Sequence, residues 1–112
     1  MNIQSKENCR NPVNEALSSK IKWKEQLAKL SKALGHPHRV AIIKFLAQRE
    51  PQDKCMCKDI VEVLPIAQST VSQHLKILKE SGWIVGEISG PKVCYCLCEG
   101  IMDHYKNLIN KL

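Results

Sequence analysis

The spacing of apolar residues changes period at Gly82, and this change limits the fold more than any other feature of the sequence. Before Gly82 the spacing is helical. Val13, Leu17, Ile21, Leu27, Leu30 and Leu34 predict a first helix that Gly35, just before Pro37, brings to a stop. Pro37 loses no hydrogen bond in a first helical turn, so it opens a second helix whose apolar face is Val40, Ile43, Leu46 and Ala47, up to Pro51. A polar loop over residues 50–54 leads to a short third helix over residues 59–64, ended by Pro65. The next helix has Ala67 or a neighbour at its cap, Val71, Leu75 and Leu78 inward, and Gly82 as its C-terminal stop. Beyond Gly82 the pattern is β-rich: residues 83–85 and 93–98 form two runs, joined by a hairpin tip at Ser89-Gly90-Pro91-Lys92. Ile101, Met102, Tyr105, Leu108, Ile109 and Leu112 then return to helical spacing. The expected fold is mainly α with a small β-hairpin, on a winged helix-turn-helix plan.

With 112 residues the chain suits one domain and one modest core, which favours a binding module over an enzyme with a deep cleft. Seventeen Lys and Arg against 11 Asp and Glu, a formal net charge of +6, favour a polyanionic partner, because cationic side chains displace the counterions condensed on phosphate. Residues 1–12 are polar and aperiodic and read as a flexible arm carrying Cys9, with residues 13–112 as the folded domain. The N-terminus lacks the apolar core of a secretory signal, and no run nears the roughly 18 apolar residues that cross a bilayer. A cytoplasmic protein with no membrane partner is expected, and its six cysteines read as thiols for ligation or redox rather than structural disulfides.

A helix that reads DNA needs an apolar face to hold it, short polar donors opposite, and cations at the margins for phosphate. The stretch from Gln68 to Lys79 meets these demands. Gln68 and Gln73 suit bidentate pairing with adenine; Ser69, Thr70 and Ser72 suit base edges or phosphate; His74, Lys76 and Lys79 suit the backbone. Lys92 at the hairpin tip suits the flanking groove or phosphate. The competing reading of these residues is a solvated helix face. His36 and His38 flank Pro37 at a helix start and read as capping or solvent-facing residues rather than ligands, and Trp23 and Trp83 as core or interface anchors.

Cysteine clusters in two runs, Cys55-Met56-Cys57 and Cys94-Tyr95-Cys96-Leu97-Cys98. Thiolates suit soft ions such as As(III), Sb(III), Cd(II), Pb(II) or Zn(II). Residues i and i+2 of an α-helix diverge by about 200°, so Cys55 and Cys57 can share one ion only from a frayed first turn, from the loop before it, or by unwinding that turn. Such strain beside the reading helix is a route to a switch. In the second run the sulfurs share one strand face at steps of about 6.6 Å. Small buried residues, a supplementary ligand from Cys96, and a redox dithiol all remain open there.

His36-Pro37-His38-Arg39-Val40-Ala41-Ile42-Ile43 after Ala33-Leu34-Gly35, Cys55-Met56-Cys57-Lys58-Asp59-Ile60, and the run from Gln68 to Gly82 together resemble the ArsR/SmtB family of metal-responsive repressors. The resemblance covers most of the chain. It implies a homodimer joined through the first and last helices, bound to double-stranded operator DNA of dyad symmetry and released by inducer. It also implies that Cys55 and Cys57 match the Cys-x-Cys of the arsenite and cadmium/lead sensors. Ile60 stands where one arsenite type has its further cysteine, so the third ligand is open between Cys9, which resembles the N-terminal cysteine of other sensors, and Cys96. The last helix departs from the zinc-sensor pattern, since Asp103 and His104 are adjacent and no second His follows. The function expected is a repressor released by a thiophilic ion, As(III) before Sb(III), Cd(II) or Pb(II). The alternatives are a redox or persulfide sensor of the same fold and, from another class, a small thiol enzyme, for which the sequence offers neither Cys-x-x-Cys nor a phosphate-cradling loop.

Overall fold

A computed structural model of the chain describes residues 22–49, 55–89 and 92–112. Its elements, in order, are α1 (Lys22–Ala33), α2 (Pro37–Ala47), β1 (Cys55–Met56), α3 (Cys57–Val63), α4 (Gln68–Ser81), β2 (Ile84–Ser89), β3 (Lys92–Leu97) and α5 (Ile101–Asn110). The expected arm, the start of the first helix before Lys22 and the Gly90-Pro91 tip lie outside the described residues.

Local chemistry accounts for the helix ends. α1 carries Glu25 in its first turn and Lys32 in its last, each placed where the helix dipole favours its sign. α2 begins with Pro37 after an extended His36, whose Nδ1 accepts the His38 backbone N–H at 3.0 Å. α4 ends in a Schellman arrangement: the Gly82 N–H donates to the Lys79 carbonyl at 3.2 Å and the Trp83 N–H to the Leu78 carbonyl at 3.1 Å. That turn requires φ of 101° at residue 82, a conformation that glycine adopts without the penalty a Cβ brings.

The sheet is antiparallel with strand order β1-β3-β2. β2 and β3 form the expected hairpin, with Ile84 opposite Leu97 and Ser89 opposite Lys92. β1 was not expected. It adds to the other edge of β3, with Cys55 opposite Tyr95 and Met56 opposite Cys94. A two-residue strand has no periodicity of its own, and its partner is about 40 residues away, so no local pattern marks it.

The core is one cluster in which Leu30, Ile42, Leu46, Ile60, Leu75, Leu78 and Leu108 from the helices meet Trp83 and Ile84 at the hairpin base. Trp83 fixes the arrangement. Its ring is 1% exposed, its Nε1–H donates to the Leu30 carbonyl at 2.9 Å, and it lies 5.0 Å from the Tyr105 ring. Ser31 Oγ and Tyr105 Oη are 2.7 Å apart, and His104 Nε2 lies 2.6 Å from Gln26 Oε1, so polar contacts also join α1 to α5. Burial holds the His104 imidazole below its ordinary pKa.

Candidate functional site

α4 divides cleanly into two faces. Val71, Leu75 and Leu78 are buried, and α4 packs with them against α1, α2 and α3. Gln68, Ser69, Ser72, Gln73 and Lys76 are exposed, while Thr70 is half-buried. Ser69, Ser72, Gln73 and Lys76 follow the i, i+3, i+4, i+7 spacing of one stripe. The helix thus presents two hydroxyls, an amide and a cation along one line, with Gln68 at its N-terminal end. The wing stands beside it. A Cβ at Gly86 of β2 would lie 3.6 Å from Lys79 Nζ and 3.3 Å from the Tyr95 ring, so Lys79 drapes over the sheet. Lys92 is the first residue of β3, next to the hairpin tip.

His74 departs from the outward set in which the sequence reading places it. Its ring is buried, 7% exposed, and lies 4.6 Å from His36 and 5.7 Å from His38 between ring centroids. Arg39 Nη1 lies 3.2 Å from His74 Nδ1. Since arginine can only donate, Nδ1 accepts and the ring proton sits on Nε2. Burial, followed by the charges of His36, Arg39 and His38, lowers the His74 pKa, so the ring is neutral near pH 7. A buried neutral ring on the inner face cannot reach a phosphate. The signal for this was in the sequence, because residue 74 follows Val71 by three and precedes Leu78 by four, within the apolar stripe. His36 does cap α2, as one of its expected roles, but it and His38 are half-buried and face His74 rather than solvent alone.

The sulfur-bearing segments meet at the sheet. Cys55 is in β1 and Cys57 is the first residue of α3, so the Cys-x-Cys spans a strand-to-helix junction instead of a helical turn. β1 pairs with β3, and α3 packs against α4, so the elements on either side of this junction contact the wing and α4. The side chains of Cys55 and Cys57, and all of Cys9, lie outside the described set. Cys96 is disulfide-bonded, which departs from the expectation that the cysteines are thiols. Cys94 and Cys98 are not disulfide-bonded. Cys98 has left the strand: its N–H donates to the Trp83 carbonyl at 2.9 Å, its side chain joins the core, and burial, then the Glu99 charge, raise its pKa. Such a thiol is a small apolar residue, poorly suited to ligation.

These features accord with the comparisons. The family pattern described as bacterial regulatory protein, arsR family, matches residues 36–84. The HTH-type transcriptional repressor SmtB of Mycobacterium tuberculosis is 44% identical over 75 residues, which are 67% of this chain and 53% of that protein. The chain therefore spans about half the length of that relative. An HTH-type transcriptional regulator of Methanocaldococcus jannaschii is 34% identical over 88 residues, 79% of this chain and 96% of that protein. Among solved structures, a homodimeric winged helix-turn-helix DNA-binding domain from Mycobacterium bovis, a candidate ArsR-family regulator, shares the fold with a TM-score of 0.65 at 21% identity, over 83% of this chain and 85% of that one. With the winged helix-turn-helix architecture and these relatives in hand, the chain belongs to the ArsR/SmtB family of transcriptional regulators.

Proposed function

We propose that this protein is a homodimeric transcriptional repressor whose hold on operator DNA is broken when a thiophilic ion binds Cys55, Cys57 and a third thiol, supplied by Cys9 or Cys96. As(III) is the preferred ion, with Sb(III), Cd(II) and Pb(II) as soft competitors. The observation that carries this reading is the position of the Cys-x-Cys across the β1-to-α3 junction. A helix would spread the two sulfurs apart, but an extended residue followed by the first residue of a helix is free of that constraint. Cys96 lies in the strand that β1 joins, but it is disulfide-bonded and supplies a thiolate only once a cellular thiol has reduced that bond.

DNA is read by Gln68, Ser69, Ser72, Gln73 and Lys76, with Thr70 at the margin and Lys92 of the wing on the flanking backbone. The net charge of +6 supplies the nonspecific attraction. The dimer forms through α1 and α5. Apolar residues left open on α5 and after it, Ile109 and Leu112, and the half-buried Trp23 and Leu27 of α1, support this face, as does the homodimeric state of the M. bovis relative. An ion that draws Cys55 and Cys57 together strains the start of α3. Because α3 packs on α4, the strain reaches the reading helix.

The test is operator release. With DNA from upstream of the protein's own coding sequence, fluorescence anisotropy on the Cys55→Ser, Cys57→Ser double variant is expected to show parental affinity without arsenite and no release with it. Release at the parental arsenite concentration would refute the assignment. The Cys96 disulfide favours a second reading, in which oxidation or persulfide formation is the trigger. Mass spectrometry distinguishes the two, since only the second requires a covalent mass change that tracks loss of DNA.

A further inference from the structure

Three imidazoles unused by the thiol switch converge between α2 and the reading helix. His36 caps α2, His38 lies in its first turn, and His74 sits in the buried face of α4. One ring nitrogen from each lies within 4.8 Å of the other two. His38 Nδ1 and His74 Nε2 are buried without any hydrogen-bond partner. Two of the three rings therefore carry a buried polar atom that no described group satisfies, which is unusual for a buried group without a ligand. We infer that His36, His38 and His74 form a site for a borderline divalent cation such as Zn(II), separate from the cysteines and built into the seat of the reading helix.

The donor set fixes the class of ion. Neutral imidazoles suit Zn(II), Co(II), Ni(II) or Cu(II), whereas Mg(II) and Ca(II) require oxygen, and As(III) requires thiolates that this cluster lacks. Zn–N bonds of about 2.0–2.1 Å in tetrahedral geometry set the nitrogens about 3.3 Å apart, so closing the triangle moves each by roughly 1 Å, within reach of side-chain rotation. Three protein ligands leave a fourth position for water or an anion.

Occupancy exchanges existing hydrogen bonds for metal bonds. His36 Nδ1 accepts the His38 N–H, and His74 Nδ1 accepts from Arg39, so each ring now keeps its proton on Nε2. A metal bound through Nε2 moves that proton to Nδ1 with no net change in protonation. His36 then gives up its cap, and Arg39 loses its acceptor on α4 while keeping its Nε bond to the Ala33 carbonyl at 2.5 Å. Arg39 is the cation at the site and opposes a second positive charge until it swings away. Metal binding thus loosens the start of α2 and frees the reading helix from Arg39, which couples this ion to the helix that faces DNA.

The test uses full-length protein with Cys9, Cys55 and Cys57 replaced by Ser, and Co(II) as the probe. One equivalent is expected to bind with visible ligand-field bands and no thiolate charge-transfer band, to be displaced by Zn(II), and to raise Tm as a native-state ligand must. His38→Ala is expected to weaken binding by at least about tenfold, a loss of the size seen on removing groups that hold a metal site together. His36→Asn removes the imidazole but keeps a capping side chain, so it reports on ligation even if His38→Ala folds poorly. Loss of Co(II) binding in either variant, with helix content intact by circular dichroism, supports the site. Absence of Co(II) binding, a thiolate charge-transfer spectrum, or unchanged binding in both variants overturns it.

Discussion

The two ligand-rich neighbourhoods of this molecule are built in opposite ways. His38 and His74 stand on regular helices whose inner faces are packed, His36 caps one of them, and His74 shares its stripe with three fully buried aliphatic residues. The sulfur segment stands on a two-residue strand and the opening of a seven-residue helix. Packed helices hold their side chains in one arrangement, whereas a short strand held by one edge of β3 can rearrange at little cost. The proposed sulfur switch thus rests on the pliable support, and the proposed imidazole site acts by re-aiming side chains between packed helices.

This contrast can be broken at several points. The largest expected effect is functional: the Cys55→Ser, Cys57→Ser variant loses arsenite-induced operator release entirely, while its urea midpoint stays close to that of the parent. A large fall in that midpoint would show that the segment is part of the rigid half. Next in size is Trp83→Ala. It opens a cavity, removes the indole's hydrogen bond to the Leu30 carbonyl and removes the ring contact with Tyr105, so unfolding in urea is expected to show a loss of about 3–5 kcal/mol. A loss below about 1 kcal/mol would mean that the hinge between hairpin and helices is not anchored there.

Gly82→Ala is expected to cost about 1 kcal/mol, measured in the same way. A Cβ at residue 82 meets nothing within 4 Å, so the whole cost comes from the positive φ. A cost of several kcal/mol would point to packing instead. The smallest effect concerns pH. The folded His104 has a pKa below its ordinary 6.5, so the unfolded chain takes up the proton first as pH falls. Stability is complete above about pH 6.5 and declines below it, until the folded form also protonates. Tm should therefore drop between about pH 7 and pH 5, and His104→Gln, which can still bond Gln26, should reduce that drop; His74 shifts in the same direction and contributes with the same sign. An unchanged drop in His104→Gln would exclude its contribution.

The helical half was readable because its signals are local. Pro37 opens α2, Pro65 precedes α4, and Gly82 closes α4 in the one conformation that suits it. Alternation between Val71, Leu75, Leu78 and the polar residues separated the two faces of the reading helix, with His74 as the exception. A histidine reads as polar by composition, and only its register shows that it points inward. Two other features missed in the sequence depend on contacts between distant residues. β1 exists because Met56 finds Cys94, and the imidazole cluster exists because His36 and His74, 38 positions apart, meet across two helices. Cys98 was grouped with Cys94 and Cys96 by alternation, but the chain leaves the strand at Leu97 and buries it.

The proposed switch holds one soft ion between Cys55, Cys57 and a third thiol at the junction of β1 and α3. X-ray absorption at the arsenic edge, on the full-length protein loaded with one equivalent of As(III), tests it most directly. The account predicts a first shell of sulfur alone in the parent and oxygen replacing sulfur in the Cys55→Ser, Cys57→Ser variant. An all-sulfur shell that survives both substitutions, or an oxygen shell in the parent, would contradict it.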